Sequence, residues 1–558
     1  MRNRGFDLGS VAGDLGRRGL NTLTTLRNAL IDVLPGDKPE WLIVDLSGSY
    51  PARRQKRSMI SRVLSSGERP QSLEEFEAMV STLLRAEWLA GVVFRSERLN
   101  VDLATAYALR KQLNRLRAGG KKVVVVAENF DNVGYYLASV ADRVIAPESA
   151  EFFVNGLSLS TTFMADALAR FGVRFEKLAI REYKNAGDQL ALAAMSDAQR
   201  EQYGALLDSF TQTITGAVAQ SRDTTPDSVS AWIDEGVTSA NQAKRLGMID
   251  EVAYEDEHLT KRHRPYASGA RFIPGRIRPS GDKRVAVVTL SGNIVPGRSR
   301  KLPLQLPLFG DELAGSETLV RALRNAGADT STAAVVFHVD SGGGSALASD
   351  LIWREVKLLA DRMPVVASMG QLAASGGYYV LTHATEIIAT PTTLTGSIGV
   401  VMLKPVLEEF NARYGFTPES VTRGRFAEIM SSARGFDEDE LALLRRYNQE
   451  VYDRFVARVA EGRKLSAEWV NELGRGRVWS GVDALEHGLV DQLGDVALAV
   501  ERARELAGLS ADAPTWNVEP PKSYQAPVIE APGDVLSLVG TLLQERALLL
   551  PEVELKLR

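Results

Sequence analysis

Cysteine is absent from this chain of 558 residues. Its absence excludes disulfide bonds, thiolate metal sites and cysteine nucleophiles together, and it is compatible with any cellular compartment. Histidine is scarce as well, and its positions show none of the short spacings typical of metal ligands: residues 258, 263, 338, 383 and 487. The sequence therefore gives no reason to expect a metal centre.

Strong charge and long apolar runs are also missing. A net charge of −4 gives no case for nucleic-acid binding. No segment approaches the roughly 20 uninterrupted apolar residues that a membrane-spanning helix needs. The first residues show no signal-peptide pattern either.

Two segments combine apolar residues at helical spacing. One runs from Leu20 to Leu34, with Arg17, Arg18 and Arg27 nearby, and the other runs from Val535 to Leu550. Packing on the protein's own domains or on a neighbouring subunit is the favoured interpretation. Placement in a bilayer interface is the alternative.

The chain contains an internal repeat. At a shift of 243 positions, residues 92–94 (Val-Val-Phe) align with residues 335–337, and residues 134–136 (Gly-Tyr-Tyr) align with residues 377–379. A later pair of matching segments, 238–252 and 479–493, aligns at a shift of 241. Because 558 residues are too many for one core, two copies of one domain are expected.

Each copy alternates short apolar strands with amphipathic helices. Residues 41–48, 91–94 and 123–128 of the first copy read as strands, as do residues 285–292, 333–340 and 364–370 of the second. This alternation is typical of βαβ units in an α/β protein, with each mostly parallel sheet flanked by helices. The predicted divisions are an N-terminal helical segment (1–40), a first domain (41–254), a connector (255–283), a second domain (284–510) and a Pro-rich linker with a C-terminal amphipathic tail (511–558).

Ser375 is the first candidate for chemistry. It lies between an apolar strand and Gly376-Gly377, where a predicted helix begins. The glycines allow a sharp bend, and amide groups at a helix N-terminus can face a developing oxyanion. The competing interpretation is that Ser375 only caps the helix.

A glycine run supplies a second candidate. Ser341-Gly342-Gly343-Gly344-Ser345 follows a strand of the second copy, whereas the first copy has no glycine at the corresponding positions. Such a run offers free backbone N–H groups for an oxyanion hole. A phosphate cradle is disfavoured because no Gly-Lys-Ser/Thr follows. Loop flexibility alone is the other alternative.

The two copies have lost different residues. Ser375 aligns with Asn132, and Lys184 aligns with Ala427, so each copy lacks what the other keeps. A serine needs a base, and a lysine serves only when neutral, which requires a pKa well below about 10.4. The apolar surroundings of Lys184 favour burial, which lowers a lysine pKa. One active site assembled from both copies is therefore predicted.

These motifs resemble the signal peptide peptidase A family, also called protease IV. The resemblance is carried by residues 373–379 (AASGGYY), 395–400 (TGSIGV), 338–345 (HVDSGGGS) and 182–188 (EYKNAGD), and it covers about residues 40 to 505. The long form of that family has two fused ClpP/crotonase-like domains. In its short form the lysine follows the serine by roughly fifty residues, and here Asn132–Lys184 and Ser375–Ala427 are both separated by 52 positions.

The resemblance implies a serine endopeptidase with a Ser/Lys dyad. Ser375 would be the nucleophile and Lys184 the general base, with Gly343, Gly344 and Gly376 as candidates for the oxyanion hole and Ser397 orienting the lysine. No metal or other cofactor is implied. Asp340, Gly342, Asn185 and Asp188 depart from the usual family motifs, which puts substrate preference and loop rigidity in doubt more than the chemistry.

The resemblance also implies partners and a location. Cleaved signal peptides or other apolar, unfolded peptides are the expected substrates, and a homotetramer is the expected assembly. The family is membrane-associated, but its usual N-terminal span is not seen here. We therefore expect a cytoplasmic protein or one peripheral to the membrane, with no nucleic-acid partner.

Four alternatives remain open from the residues. An acyl-CoA enzyme of crotonase type would share the fold but would leave Lys184 unexplained. A Ser/His enzyme could use His338 or His383, although His383 lies about 12 Å along the predicted helix from Ser375. Lys404 is the second candidate base. A non-catalytic scaffold on the duplicated fold is the alternative of a different class.

Overall fold

The structure is a computed structural model that describes residues 8–31, 37–54, 71–259, 262–277, 283–306, 310–518 and 548–549. Most of the predicted C-terminal tail therefore lies outside the described residues. The strands before residue 283 are β1 Trp41–Gly48, β2 Gly91–Leu99, β3 Lys122–Ala127, β4 Asn129–Asp131, β5 Arg143–Ala146, β6 Glu151–Phe153, β7 Arg174–Ala179, β8 Glu251–Val252 and β9 His263–Pro265.

The first sheet contains six of these strands, all parallel, in the order β8-β5-β3-β2-β1-β9. Its central strands are the apolar runs seen in the sequence, and they are buried because helices cover the sheet. The strands β4 and β6 form a separate parallel pair.

Helices of this half flank the sheet. They are α1 Leu8–Leu30, α2 Leu73–Leu84, α3 Leu103–Ala118, α4 Asn132–Ala138, α5 Ala165–Ala169, α6 Asp188–Ala191, α7 Asp197–Ser221, α8 Pro226–Glu235, α9 Ala240–Leu246, α10 Glu255–His258 and α11 Tyr266–Gly269. The described part of the segment predicted as a connector is thus ordered into short elements, and β9 extends the first sheet by pairing with β1.

The second half repeats the pattern. Its strands are β10 Arg284–Ser291, β11 Asn293–Val295, β12 Arg300–Leu306, β13 Gly310–Gly315, β14 Thr332–Ser341, β15 Gly344–Ser345, β16 Val365–Ala374, β17 Glu386–Ala389, β18 Leu394–Gly396, β19 Val401–Val406, β20 Val478–Trp479, β21 Gln492–Leu493, β22 Thr515–Asn517 and β23 Leu548–Leu549.

The second sheet has eight of these strands. Six follow the order β20-β18-β16-β14-β10-β22, while β17 pairs with β16 and β21 pairs with β17. All pairs are parallel except β18 with β20. The predicted fold class, tandem α/β domains with mostly parallel sheets, is confirmed.

Helices also flank the second sheet. They are α12 Ser316–Ala328, α13 Ala346–Ala360, α14 Gly376–Tyr379, α15 Glu408–Tyr414, α16 Glu438–Arg463, α17 Ala467–Leu473, α18 Gly481–Glu486 and α19 Val496–Leu506. The predicted helix after Ser375 is only four residues long. Two glycines and the following turn leave it short. The helix ends at Tyr379, so the prediction that Ser375 and His383 lie along one helix was wrong.

A third sheet joins the two halves, in the order β12-β13-β11-β15-β23-β19-β7. The strand β7 of the first half pairs antiparallel with β19 of the second, from Arg174 opposite Val406 to Ala179 opposite Val401. At the 243-residue shift, the counterparts of β19 (158–163) and of β7 (417–422) are not strands. Each half therefore contributes one strand of a pair that neither forms alone.

The N-terminal helix α1 attaches through its polar side. Arg27 donates to the carbonyls of Arg271 and Ile273, and Asn28 exchanges two hydrogen bonds with Gly275. Among the residues that the structure describes, no helix combines the length and apolar character needed to cross a membrane.

Candidate active site

Ser375 occupies a sharp bend between β16 and α14. Its backbone has φ 54° and ψ −117°, a conformation that costs a non-glycine residue about 1–3 kcal/mol and that concentrates at functional sites. The bend is held by the Ser375 N–H, which donates to the Gly396 carbonyl at 2.8 Å. The side chain makes no capping bond to the helix, so the capping interpretation is wrong.

Lys184 reaches Ser375 from the other half of the chain. Its Nζ lies 2.9 Å from Ser375 Oγ, 2.6 Å from Ser397 Oγ and 3.1 Å from the Ser397 carbonyl. All three side chains are fully buried. The structure thus brings the predicted serine, lysine and supporting serine into direct contact within one chain.

The loop that carries Lys184 is fixed by a second, partly buried lysine. Lys177, on β7, donates to the Lys184 carbonyl at 2.6 Å and forms an ion pair with Asp188. The other carboxylate oxygen of Asp188 accepts from Asn185 at 2.9 Å. No role was predicted for Lys177 from the sequence, because Arg174 and Glu176 on the same strand make this lysine look like one more solvated charge.

Two glycines lie directly against Lys184. A Cβ built on Gly476, which has φ +88°, would lie 2.4 Å from the backbone nitrogen of Lys184. A Cβ on Gly399 would lie 3.0 Å from Lys184 Cδ. Neither glycine was identified from the sequence, because the close approach arises only when distant segments fold together.

Ser397 also has a strained backbone, with φ 51°. Its N–H donates to the Arg477 carbonyl at 2.7 Å, which ties the segment after β18 to the residues around Gly476. The residue whose hydroxyl contacts Lys184 is therefore held on two sides, by β18, which it directly follows, and by the hydrogen bond to Arg477.

The three candidate oxyanion glycines form one cluster. A Cβ on Gly376 would lie 3.0 Å from Gly343 Cα and 3.2 Å from the Gly344 nitrogen. The Gly376 N–H, at the first position of α14, has no acceptor within its helix. The Gly343 N–H donates to Ser341 Oγ at 3.1 Å, so Gly376 has the more available amide of these two.

The corresponding position of the first half is occupied by an amide. Asn132, which aligns with Ser375, donates to the Gly156 carbonyl at 2.9 Å and accepts from the Gly156 N–H at 3.1 Å. Gly156 itself aligns with Gly399. A paired amide therefore fills the place where the second half has a hydroxyl and an amine.

The other candidate bases, His338, His383 and Lys404, have partners other than Ser375. His338 Nδ1 is 3.2 Å from Ser368 Oγ, and His383 Nδ1 accepts from Trp353 at 2.8 Å. Lys404 donates to the Ile429 carbonyl at 3.0 Å and lies over the Phe436 ring. Burial lowers the pKa of Lys404, but its amine does not contact Ser375.

A cavity of about 660 Å³ lies between the two halves, lined by residues of both, including Asp102, His338, Asp340 and Gln371. Burial raises the pKa of Asp340 to about 7, with a further contribution from the charge of Asp102. One Asp340 oxygen accepts the Leu372 N–H at 3.1 Å, three residues before Ser375. Asp340, one of the departures from the usual motif, therefore places a carboxyl with a raised pKa beside the strand of Ser375.

Comparison with known proteins identifies relatives of this chain. The family model described as peptidase family S49 matches residues 115–265 and 357–510. The chloroplastic serine protease SPPA of Arabidopsis thaliana is 30% identical over 471 residues, which cover 81% of this chain and 68% of that protein. Protease 4 of Haemophilus influenzae is 28% identical over 440 residues, covering 74% and 69%. A putative signal peptide peptidase SppA of Enterococcus faecium is 33% identical over 188 residues, covering 34% and 55%.

These matches and the duplicated fold define a serine-type endopeptidase, as predicted. The family match falls in both halves and covers more than half of the chain. This protein belongs to peptidase family S49.

The close approach of Gly476 to Lys184 makes a testable prediction. Gly476→Ala adds a methyl group against the Lys184 backbone, and a displacement of about 1 Å at such a site can cost a hundredfold in rate. We expect a loss of this order in kcat/KM on an apolar peptide. Gly508→Ala is the matched control, since Gly508 has φ +64° but open space around its Cβ. Equal activity of the two variants would contradict the prediction.

Asp340 predicts a pH dependence of stability. Its folded-state pKa lies above the unfolded value, so its contribution to the free energy of unfolding is present at low pH and is lost as pH rises from about 4 to about 7. Asp340→Asn removes this titration. Scanning calorimetry gives the melting temperature of both proteins at about pH 4 and about pH 7. The melting temperature of the wild type, relative to that of the variant, should be lower at pH 7 than at pH 4. Parallel changes would refute the assignment.

Proposed function

We propose that this peptidase cleaves peptide bonds with Ser375 as nucleophile and Lys184 as general base. The observation that carries the proposal is the 2.9 Å contact between Lys184 Nζ and Ser375 Oγ in a fully buried site. Burial disfavours the charged form of a lysine, and the neutral form is the one that can accept a proton.

In the first step, Lys184 takes the proton of Ser375 as Oγ attacks the substrate carbonyl. The resulting oxyanion is stabilised by the Gly376 amide and by one amide of the Gly343-Gly344 loop, at about 3–4 kcal/mol for each well-placed donor. Protonated Lys184 then gives its proton to the leaving amine, and the carbon–nitrogen bond breaks to leave an ester on Ser375.

In the second step, Lys184 takes a proton from a water molecule that attacks the ester. The tetrahedral intermediate collapses, Ser375 leaves with the proton from Lys184, and a carboxylic acid is released. Ser397 orients the amine throughout, because its hydroxyl and carbonyl both accept from Lys184 Nζ. No step requires a metal or another cofactor.

The proposed substrates are cleaved signal peptides and other apolar, unfolded peptides. The resemblance in sequence motifs supports this class, as does the signal peptide peptidase name of one relative. We also propose a homotetramer, which is supported by the resemblance and by the exposed leucines Leu347, Leu351 and Leu358 on α13. Native mass spectrometry would give the number of chains.

Substitutions of buried residues test the proposed roles. Ser375→Ala should abolish labelling by a fluorophosphonate probe, and Lys184→Met should slow labelling by about 10²–10⁴-fold because the base is lost. Matched controls are Ser368→Ala, which removes the hydroxyl beside His338, and Lys404→Met, which removes another fully buried lysine. Both controls should label like the wild type. Unchanged labelling of Lys184→Met would exclude it as the base.

We further propose peripheral membrane contact through α1. Its polar side faces the protein, whereas Leu20, Leu23, Leu26 and Leu30 are 47–64% exposed. In the sequence these leucines follow Arg17 and Arg18, and this composition suits the interface of an anionic membrane.

Flotation with vesicles that contain anionic lipid tests this contact. Replacing Leu23, Leu26 and Leu30 together with serine should lower the bound fraction, since each loses apolar area available to the bilayer. Val421→Ser, at a side chain that is 93% exposed elsewhere, should have no effect. Equal binding of all three proteins would exclude α1 as the contact.

A further inference from the structure

A small cavity lies in the first half, and Asn132, the residue that corresponds to Ser375, is part of its lining. Its volume is about 110 Å³. Most of its walls are apolar and include Val218 and Val229. Asp234 also lines the cavity and is exposed to solvent, so the cavity is open on one side. It therefore has an apolar interior and a polar mouth.

The residues around this cavity can be matched to residues of the second half. At a shift of 241 positions, the starts of α7 and α8 coincide with the starts of α16 and α17. Two equivalent hydrogen bonds support this shift: Arg222 Nε donates to the Gly247 carbonyl at 3.3 Å, and Arg463 Nε donates to the Gly488 carbonyl at 3.2 Å. Donors and acceptors both differ by the same shift, so the cavity has a defined counterpart in the second half.

A tyrosine fills that counterpart. Tyr452, which corresponds to Thr211 in the cavity lining, is 1% exposed. Its hydroxyl donates to Asn471 Oδ1 at 2.9 Å and accepts the Arg475 N–H at 3.3 Å. The second half thus buries an aromatic ring at this place and bonds its hydroxyl on two sides, as buried tyrosines require.

The first half has the surroundings of this tyrosine without its ring. Thr211 supplies only a short side chain at the equivalent position. Ser230 and Asp234, which stand where the second half has Asn471 and Arg475, both line the cavity. The cavity therefore corresponds to the volume of a missing ring, with polar side chains near the place of the missing hydroxyl.

We propose that this cavity binds an aromatic ring that carries a hydroxyl group, of which phenol is the simplest example. The ring takes the place that Tyr452 fills in the second half, and its hydroxyl donates to the Asp234 carboxylate beside Ser230. An apolar cavity of about 150 Å³ can hold benzene, and a smaller one that is open on one side can hold a ring whose polar end reaches the mouth. Binding here does not depend on the roles proposed for Ser375 and Lys184.

Thermal unfolding of the full chain with added phenol tests the site. Phenol should raise the melting temperature of the wild type in a saturable way, because a ligand that binds only the folded state stabilises it. Thr211→Tyr places a tethered ring in the cavity, as Tyr452 does in the second half, and should abolish this effect. Thr422→Tyr, at an exposed position of the second half, is the matched control and should respond to phenol like the wild type.

A second pair of variants tests the place of the hydroxyl. Asp234→Ala should weaken phenol binding about tenfold, because a hydrogen bond to a charged group is lost. The same variant should bind toluene as the wild type does, since toluene has no hydroxyl. Asp227→Ala, on the same helix but outside the cavity lining, should change neither affinity. An equal loss for both ligands, or no loss for phenol, would overturn the phenolic class.

The lack of a saturable effect in the wild type, or equal effects in the wild type and Thr211→Tyr, would overturn the site itself. If Thr211→Tyr does not fold, Ile214→Phe provides the same comparison, because the second half has Phe455 at that position. Anomalous diffraction from crystals soaked in 4-bromophenol needs no variant. Bromine beside Thr211 and Asp234 would support the site, and bromine only elsewhere would contradict it.

Two sources can supply such a ring: a free phenolic compound or a tyrosine side chain of a peptide. Titration with N-acetyl-tyrosine amide distinguishes them. Saturable binding of this amide that is lost in Thr211→Tyr would identify a peptide side chain as the occupant. Binding of phenol without binding of the amide would identify a free phenolic compound.

Discussion

The antiparallel pairing of β7 with β19 is the constraint on which the site depends. It joins six residues of the first half to six of the second, and it sets the position of the loop that begins at the end of β7 and carries Lys184. Without this pairing, no strand of the third sheet would connect the Lys184 loop to the half that carries Ser375.

The division of residues between the halves has a physical logic. A buried lysine is costly unless oxygen atoms accept its hydrogens, and only the second half offers Ser375, Ser397 and a carbonyl together. In the first half, both polar groups of the Asn132 amide are paired with the Gly156 backbone. The two halves therefore differ at this position, one with a hydroxyl that contacts an amine and one with a paired amide.

Strain and close packing are concentrated around the lysine. Ser375 and Ser397 both have positive φ, and glycines at 376, 399 and 476 are the positions where a side chain would collide with the site. Such a site keeps little conformational freedom of its own.

The sequence alone determined the α/β class and the duplication, because strand and helix periodicities are local. It also predicted Ser375 and Lys184, through the aligned replacements at 132 and 427, and Ser397 through its resemblance to the family motif. The shortness of α14, the contacts of Lys177 and Gly476 and the engaged amide of Gly343 were decided by tertiary structure. Each depends on a contact or backbone angle set by segments far apart in the chain, as when Lys184 meets a serine 191 positions away. No local pattern records which distant strand edges pair, since that choice is made by the packing of whole sheets.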